Sequence, residues 1–508
     1  MRPAKTTPPP PSVKPGTLRR VLIASSVGTI IEWYDFFIFG SLATLVIGPQ
    51  FFPKNDNPLL QTLEALATFA AGFVVRPFGA LFFGRLGDLV GRKHTFLLTL
   101  LLMGGSTFAI TFLPNFDQIG YVAPTLLVLL RLVQGLALGG EYGGATTYVA
   151  EHTPDTQRGF YTSLLQLTAT VGLVLSIAII LTCRLWLSPE AFQAWGWRIP
   201  FAVSGLLVVV SYFIRRRLGE SPVFARMKAT GTTSKNPLRE SFVNPENRRL
   251  VLLALFGLTM GYGCAWYTAH FYSSVFIGTI LKVDFVQTNV IMLLALVLAT
   301  PFAVVFGALS DKIGRKRLML TGLALVSVGF YPIYRQMGAA VDYSAQAVMD
   351  RQISRLTDVR ARTQAVTETK TFVGGTSVAI TTKTGVGLAK ADIKTVVYVS
   401  DLVRNQLIFW VWLQVFFVTL AYGPIAAYLV ELFPARIRYT SLSLPYHIGN
   451  GIFGGMTPFV ATALISATGN IFAGLVYPLA LAALTTLIGA FMLPEGNADS
   501  TPKTQKGY

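Results

Sequence analysis

The sequence predicts an all-α membrane protein of twelve transmembrane helices, built as two pseudo-symmetric six-helix halves with both termini cytoplasmic. Three observations predict it. The 508-residue chain is 52% hydrophobic and only 13% charged, about half the charge that covers a soluble domain. Apolar runs long enough to cross a bilayer recur along nearly its whole length. Two loop motifs also occur twice, as they do when a chain folds into two related halves.

The apolar runs fall near 21–47, 61–83, 94–114, 121–148, 160–187 and 197–216, then near 250–278, 287–309, 317–335, 404–430, 439–466 and 469–493. Arg76 interrupts the second. This divides the chain into an N-terminal tail (1–20), a first bundle (21–218), a linker (219–248), a second bundle (249–494) and a C-terminal tail (495–508). The first tail is Pro-rich and basic without an apolar core, so it reads as a disordered cytoplasmic segment, not a cleaved signal.

Net charge is +18, from 42 Lys and Arg against 24 Asp and Glu. The basic residues gather in short loops of one parity, such as Arg215, Arg216 and Arg217, which sets those loops on the cytoplasmic side. No basic stretch is interleaved with aromatics as base stacking requires, so nucleic acid is excluded as a partner. The two cysteines, Cys183 and Cys264, form no CxxC or Cys/His cluster, which leaves neither a disulfide framework nor a metal site. There is no P-loop and no nucleophile elbow. Neither an enzyme nor a cofactor is expected.

The first repeated motif is G-x3-D-x2-G-R-K. It comprises Gly84, Asp88, Gly91, Arg92 and Lys93, and again Gly307, Asp311, Gly314, Arg315 and Lys316. The second is E-x2-P-x3-R, at Glu151, Pro154 and Arg158, and again at Glu431, Pro434 and Arg438. Glycines permit tight turns and close helix contact, and the charges can bridge neighbouring helix ends. These residues are expected to gate one end of the bundle. The two motifs lie further apart in the second half, and the excess falls in a polar external loop at 336–402. Within it, 342–365 has helical spacing, and 366–400 is rich in Thr, Val and Gly like short strands.

The chain resembles the major facilitator superfamily through the loop at Gly84–Lys93 and its degenerate second copy at Gly307–Lys316. Four stretches, SSVGTIIEWYDFFIFGSLA (25–43), RPFGALFFGRLGDLVGRK (76–93), RLVQGLALGGEYGGA (131–145) and LPYHIGNGIFGG (444–455), extend the likeness. They are similar to the metabolite:proton symporter family, which includes alpha-ketoglutarate, citrate, shikimate and proline/betaine porters. The resemblance implies the major facilitator fold, proton coupling and a first span that lines the cavity. It also links the basic residue of the R-x2-Q-G stretch, Arg131 here, to proton transfer. The long loop at 336–402 departs from the family. The end at Tyr508 leaves no room for the coiled-coil tail of osmosensing porters.

Ionisable residues inside a span are functional candidates by default. Glu32 and Asp35 share nearly one face of the first span among Trp33, Tyr34, Phe36 and Phe37. Desolvated there, a carboxylate can load and release a proton near neutral pH; the bland alternative is a static pair with an arginine of another helix. Arg76 is the most attractive such partner. Arg131, sharing a face with Gln134, offers a fork for a carboxylate or snorkels to the interface; Glu141 lies further along the same span. His447 and His270 are candidates for coupling or for packing. Tyr267 lines a pocket or simply packs. Asn450 and Tyr446, beside Gly449 and Gly451, suit a cavity-lining helix.

The function these features predict is proton-coupled symport, an uptake of a small organic acid or zwitterion across the inner (plasma) membrane by a monomer. Its partners are the substrate, protons and the lipid bilayer. The alternative on the same fold is an uncoupled facilitator or a proton-antiport exporter.

Overall fold

In the computed structural model the described residues are 15–53, 58–90, 92–216, 229–231, 234, 236–358, 363–385 and 392–495. Among them, ten helices are long and apolar enough to cross a membrane, beside one shorter apolar helix and one pair bent by 48°. In chain order they are α1 (Ser25–Phe51), α2 (Leu60–Leu86), the shorter α3 (Leu97–Ile110), α4 (Val122–Ala150), α5 (Asp155–Trp186) and the bent pair α6 (Pro189–Gly196 and Arg198–Ile214). There follow α7 (Pro245–Ile280), α8 (Phe285–Ile313), α9 (Arg315–Val341), α10 (Asp401–Leu432), α11 (Arg438–Thr468) and α12 (Ala473–Met492). Phe82, Phe112, Phe213, Leu298, Val328 and Phe491 all point outward. In water such a surface would drive association; against lipid tails it is the solvated face.

Helical structure begins at Pro15, ahead of the expected end of the tail at residue 20, because the good helix formers Leu18, Arg19 and Arg20 extend the first span. Most of the two expected tails lies outside the described residues. Arg76 does not break α2: Pro77 removes one N–H, and the Gly79 N–H still reaches the Val75 carbonyl at 3.1 Å. Between the halves, a short helix at Pro237–Val243 docks by a Ser241–Ser441 hydroxyl contact of 2.8 Å.

Lipid supplies no hydrophobic drive between helices, so close backbone contact carries the packing. Where α2 crosses α4, a Cβ on Gly135 would overlap the Gly72 carbonyl, and one on Gly79 would overlap that of Leu136. The first six helices meet the last six along two seams. Gly451 and Gly455 of α11 rest on Phe73 of α2, and Gly159 of α5 rests on Gly307 of α8.

The inserted loop corrects two expectations. Helix α9 runs on to Val341 and α10 starts at Asp401, so the insertion is shorter than 336–402. It holds a four-stranded antiparallel meander, β1 (Val348–Asp358), β2 (Thr363–Phe372), β3 (Ser377–Gly385) and β4 (Asp392–Tyr398), in that order. The helical reading of 342–365 fails and the strand reading beyond it holds. Cross-strand pairing decides the matter: Ile353 lies opposite Glu368 and Ser354 opposite Thr367, and Arg351 reaches Glu368 at 2.7 Å. The sheet makes the chain all-α only in its membrane part. It is fastened to the turn between α7 and α8, where the Val397 N–H donates to the Lys282 carbonyl at 2.8 Å and the Asp284 N–H to the Val397 carbonyl at 2.9 Å.

Replacing Gly135 with Val should push α2 and α4 apart, since overpacking a tight contact costs about 1–3 kcal/mol or more. The expected outcome is a lower midpoint in thermal unfolding of the detergent-solubilised protein; an unchanged midpoint contradicts the packing described.

Candidate transport cavity and its gates

At the centre of the bundle two arginines are fully buried and differently treated. Arg131 is partnered at both terminal nitrogens, while its Nε has no hydrogen-bond partner among the described residues. Its Nη1 donates to Gln134 Oε1 at 2.6 Å and to the Phe36 carbonyl at 3.4 Å, and its Nη2 to the Phe69 carbonyl at 3.4 Å. Gln134 is held in turn by Thr107 at 2.9 Å. The rings of Phe36 and Phe39 flank the guanidinium at 4.2 and 4.5 Å. Snorkelling is therefore excluded, as Arg131 has no exposed surface.

Arg76 is not partnered in this way. None of its three side-chain nitrogens has a hydrogen-bond partner among the described residues. Its guanidinium lies 4.2 Å from the Phe73 ring, 4.4 Å from Phe36 and 5.3 Å from Trp33. The Tyr267 hydroxyl lies beside it, outside hydrogen-bond geometry, and the Tyr267 ring packs on Phe73 at 5.0 Å. Cation–π contacts stabilise a desolvated cation by about 2 kcal/mol, well short of replacing its hydration.

Glu32 and Asp35 are both buried. The expected partnership with Arg76 does not form: no ion pair joins it to either carboxylate among the described residues. The helix turn is the reason. Phe36 and Trp33 face Arg76, whereas Asp35 turns toward α3 and α6, its Oδ2 3.2 Å from where a Gly104 Cβ would sit. Ser204 of α6 lies beside it, and neither Asp35 oxygen has a hydrogen-bond partner among the described residues.

Next to this centre a narrow crevice, with room for little more than a single water molecule, lies between α1, α4, α5, α10 and α11. Its walls include Thr29, Trp33, Glu141, Tyr142, Gln166, Tyr422, Tyr446 and His447. Thr29 donates to Glu141 Oε1 at 3.2 Å. Tyr142 and Tyr446 stack across the halves with centroids 3.5 Å apart. Both His447 ring nitrogens lack a partner among the described residues. Asn450 holds the Tyr446 hydroxyl at 3.2 Å. His270 instead packs, stacked on Trp266 at 4.0 Å with Nδ1 against the Trp266 carbonyl at 2.8 Å. Reading the sequence alone missed Tyr142, Gln166 and Tyr422; a single Gln amid the apolar run of α5 was the available signal.

Contacts between the first six helices and the last six flank the crevice on two sides. At the end that carries the repeated loops, Glu431 accepts from Arg158 at 3.0 Å and from two nitrogens of Arg315 at 2.6 and 2.7 Å. Asp311 pairs with Arg315 at 3.2 Å and caps the start of α5, accepting from the N–H groups of Gly159 and Phe160 at 2.8 and 3.0 Å. Arg438 faces Glu151 at 3.8 Å. The E-x2-P-x3-R pairing is crossed, the Arg of each copy meeting the Glu of the other, while Arg315 meets Glu431 within its own half. Gly314 makes the turn with φ 98°, and Gly84 lets the Tyr439 ring approach. Lys316 stays within its own half, donating to the carbonyls of Ala490 and Leu493 at the end of α12. Gly91 and the side chains of Asp88, Arg92 and Lys93 lie outside the described residues. At the opposite end Phe37, Phe69, Trp266 and Phe271 form an aromatic plug, with centroids 5.0 to 5.6 Å apart.

The family described as "Sugar (and other) transporter" matches this chain over residues 21–249 and 225–350. The chain belongs to that family. Its fold is that of the major facilitator superfamily: the proton:xylose symporter XylE superposes with a TM-score of 0.64 at 15% identity, over 96% of this chain and 98% of that one. Among relatives, an Escherichia coli inner membrane metabolite transport protein, YhjE, is 31% identical over 92% of both chains. A putative proline/betaine transporter of Staphylococcus haemolyticus is 29% identical over 97% of this chain and 90% of its own. This member of the family is thus a multi-pass membrane transporter and not an enzyme.

Glu431 is the hub of this transporter's charged closure. Hydrogen bonds to a charged group contribute about 1.5–3 kcal/mol, and the part-buried Glu431 accepts three of them. Glu431→Gln should therefore raise, severalfold, the rate at which a thiol reagent labels a cysteine placed at Gln166, in a variant lacking Cys183 and Cys264. Unchanged labelling would mean that the network does not hold the closure.

Proposed function

We propose that this transporter is a proton-coupled symporter that takes up a small organic acid or zwitterion by alternating access. In this reading twelve helices span the inner (plasma) membrane as two six-helix halves, 21–218 and 249–494. They are joined by a cytoplasmic linker at 219–248, with both termini cytoplasmic, and the monomer is the working unit. The Lys and Arg of the loops next to the repeated motifs support that orientation.

The observation that carries the proposal is Arg76, a buried guanidinium without a hydrogen-bond partner among the described residues, set beside a narrow crevice whose walls are mostly apolar. Such a fork suits a carboxylate, which supplies both the missing charge and bidentate hydrogen bonds. The buried Asp35, turned away from Arg76 into its own half, is the proton carrier. A carboxylate outside the substrate cavity can load a proton without competing for the substrate's counter-charge. Crossed charges at the cytoplasmic end and the aromatic plug at the other are the two gates. The printed names of the relatives, metabolite and proline/betaine transporters, fit a small carboxylate-bearing substrate. The proton:xylose symporter offers a precedent for proton coupling on this fold.

In vesicles with an imposed inside-alkaline gradient, uptake should accelerate in the native protein. Asp35→Asn should abolish that response and leave substrate exchange in place. Arg76→Ala should raise KM about tenfold to a hundredfold, since a hydrogen bond to a charged group is worth roughly 1.5–3 kcal/mol. Uptake indifferent to the gradient, or to both substitutions, would favour facilitation and overturn the proposal.

A further inference from the structure

We infer that Ser204 hands Asp35 its proton, and that Tyr34, the residue before Asp35, keeps the Ser204 hydroxyl available for that task. This role rests on the reading of Asp35 as the proton carrier and supplies the path by which a proton reaches it.

Asp35 lies where α1 meets α3 and α6, and ionisable groups are sparse there. Helix α3 (Leu97–Ile110) has none, and the Arg198–Ile214 segment of α6 has Arg198 at its start and Tyr212 near its end. Glu32 and Tyr34 share α1 with Asp35, and Cys183 of α5 lies near Tyr34. No ion pair joins Asp35 to a cation among the described residues. A proton bound for Asp35 must therefore be passed on by a neutral group within hydrogen-bond reach.

Hydroxyls are the neutral groups at hand, and on α3 they are spent. A serine or threonine inside a helix commonly donates to the carbonyl three or four residues back. Thr99 donates to the Thr95 carbonyl at 3.1 Å, Ser106 to that of Leu102 at 2.6 Å and Thr107 to that of Met103 at 2.9 Å. Ser204, fully buried beside Asp35, has no hydrogen-bond partner among the described residues.

Tyr34 explains the exception. Its hydroxyl crosses from α1 to α6 and donates to the Pro200 carbonyl at 2.7 Å. Pro200 stands four residues before Ser204, so this is the carbonyl that the Ser204 hydroxyl would otherwise take. In an α-helix the backbone N–H of residue 204 takes that carbonyl as well, and a carbonyl oxygen has only two lone pairs. The Ser204 hydrogen is left for Asp35, neither of whose oxygens has a hydrogen-bond partner among the described residues.

The seam also sets the direction. Toward Ser211, whose hydroxyl is unpartnered too, Val208 seals it. A Cβ on Gly104 would overlap the Val208 side chain and would lie 3.2 Å from Asp35 Oδ2. The other way, the helix start at Arg198 is about 9 Å from Ser204 along the axis. Arg198 holds the carbonyls of Thr111 and Leu113 there, at 3.1 and 3.2 Å, and the Thr111 hydroxyl has no partner among the described residues. The proton thus arrives from the end opposite the charged closure, past Thr111, and bypasses the crevice beside Arg76. In the last step Ser204 Oγ takes a proton from water on a lone pair and releases its own hydrogen to an Asp35 oxygen. A neutral hydroxyl and a carboxylic acid result, and one proton has moved.

Time-resolved infrared spectroscopy of the purified, detergent-solubilised transporter tests this without any substrate. The carbonyl band of a protonated carboxyl that appears after a proton is released from a photolabile cage, and is missing in Asp35→Asn, reports Asp35. In Ser204→Ala and in Tyr34→Phe the band should rise severalfold more slowly than in the native protein. The double variant should be no slower than Ser204→Ala, because Tyr34 acts only through Ser204 and residues that act through one another are not additive. Native rates in either single variant, or additive slowing in the double variant, overturn the inference while Asp35 remains the carrier. Absence of an Asp35 band from the native protein overturns the carrier and the relay together.

Discussion

A guanidinium desolvated at the core of an apolar bundle, with rings beside it and no counter-ion among the described residues, is the constraint to which the rest of this structure answers. Aromatic faces offset only part of the hydration that Arg76 gives up. The remainder is a standing demand for an anion, and among the described residues no ion pair meets it: neither Glu32 nor Asp35 pairs with it. Arg131 next door shows what the same fold does when it wants a cation quiet, enclosing it with an amide and two carbonyls. The contrast between two buried arginines separates structure from function in this core.

The same electrostatics, placed at the rim, makes a closure that can open. Glu431 holds arginines from both halves, and Asp311 caps a helix of the other half. Glu431 and Arg158 are only partly shielded, so water can reach them, as it cannot reach Arg76. At the far end the closure is apolar, with Phe271 against Phe37 and Phe69. One closure is directional and charged, the other non-directional and aromatic, so substitutions and ionic strength can act on them separately.

Much of this was legible in the sequence because it depends on local pattern. Apolar length gives the helices, and the repeated motifs point to charges that meet in the structure, Arg158 and Arg315 on Glu431. The crossing of the latch was not legible: E-x2-P-x3-R places Glu151 and Arg158 on one strand of text, while Arg158 pairs with Glu431 and Arg438 faces Glu151. Partner choice there follows from how two halves meet, which no spacing within one half encodes. The supposed tie between Arg76 and the first-span acids failed for a related reason. Residues three apart share a face only loosely, and the difference in angle sends Asp35 toward Ser204 while Trp33 and Phe36 face the arginine. The helical reading of 342–365 fell to pairing with β2, a contact that local periodicity does not report. Tyr142 and Tyr422 gave no signal, because tyrosines in a span pack more often than they line a cavity.

The central claim is that the demand left open at Arg76 is met by the substrate's carboxylate. Determining the structure of the transporter with its substrate bound tests this most directly. The account predicts carboxylate oxygens within hydrogen-bond distance of Arg76, on the side of Trp33 that faces the cavity. A substrate seated in the bundle with Arg76 still bare, or paired with Glu32 or Asp35, would contradict it.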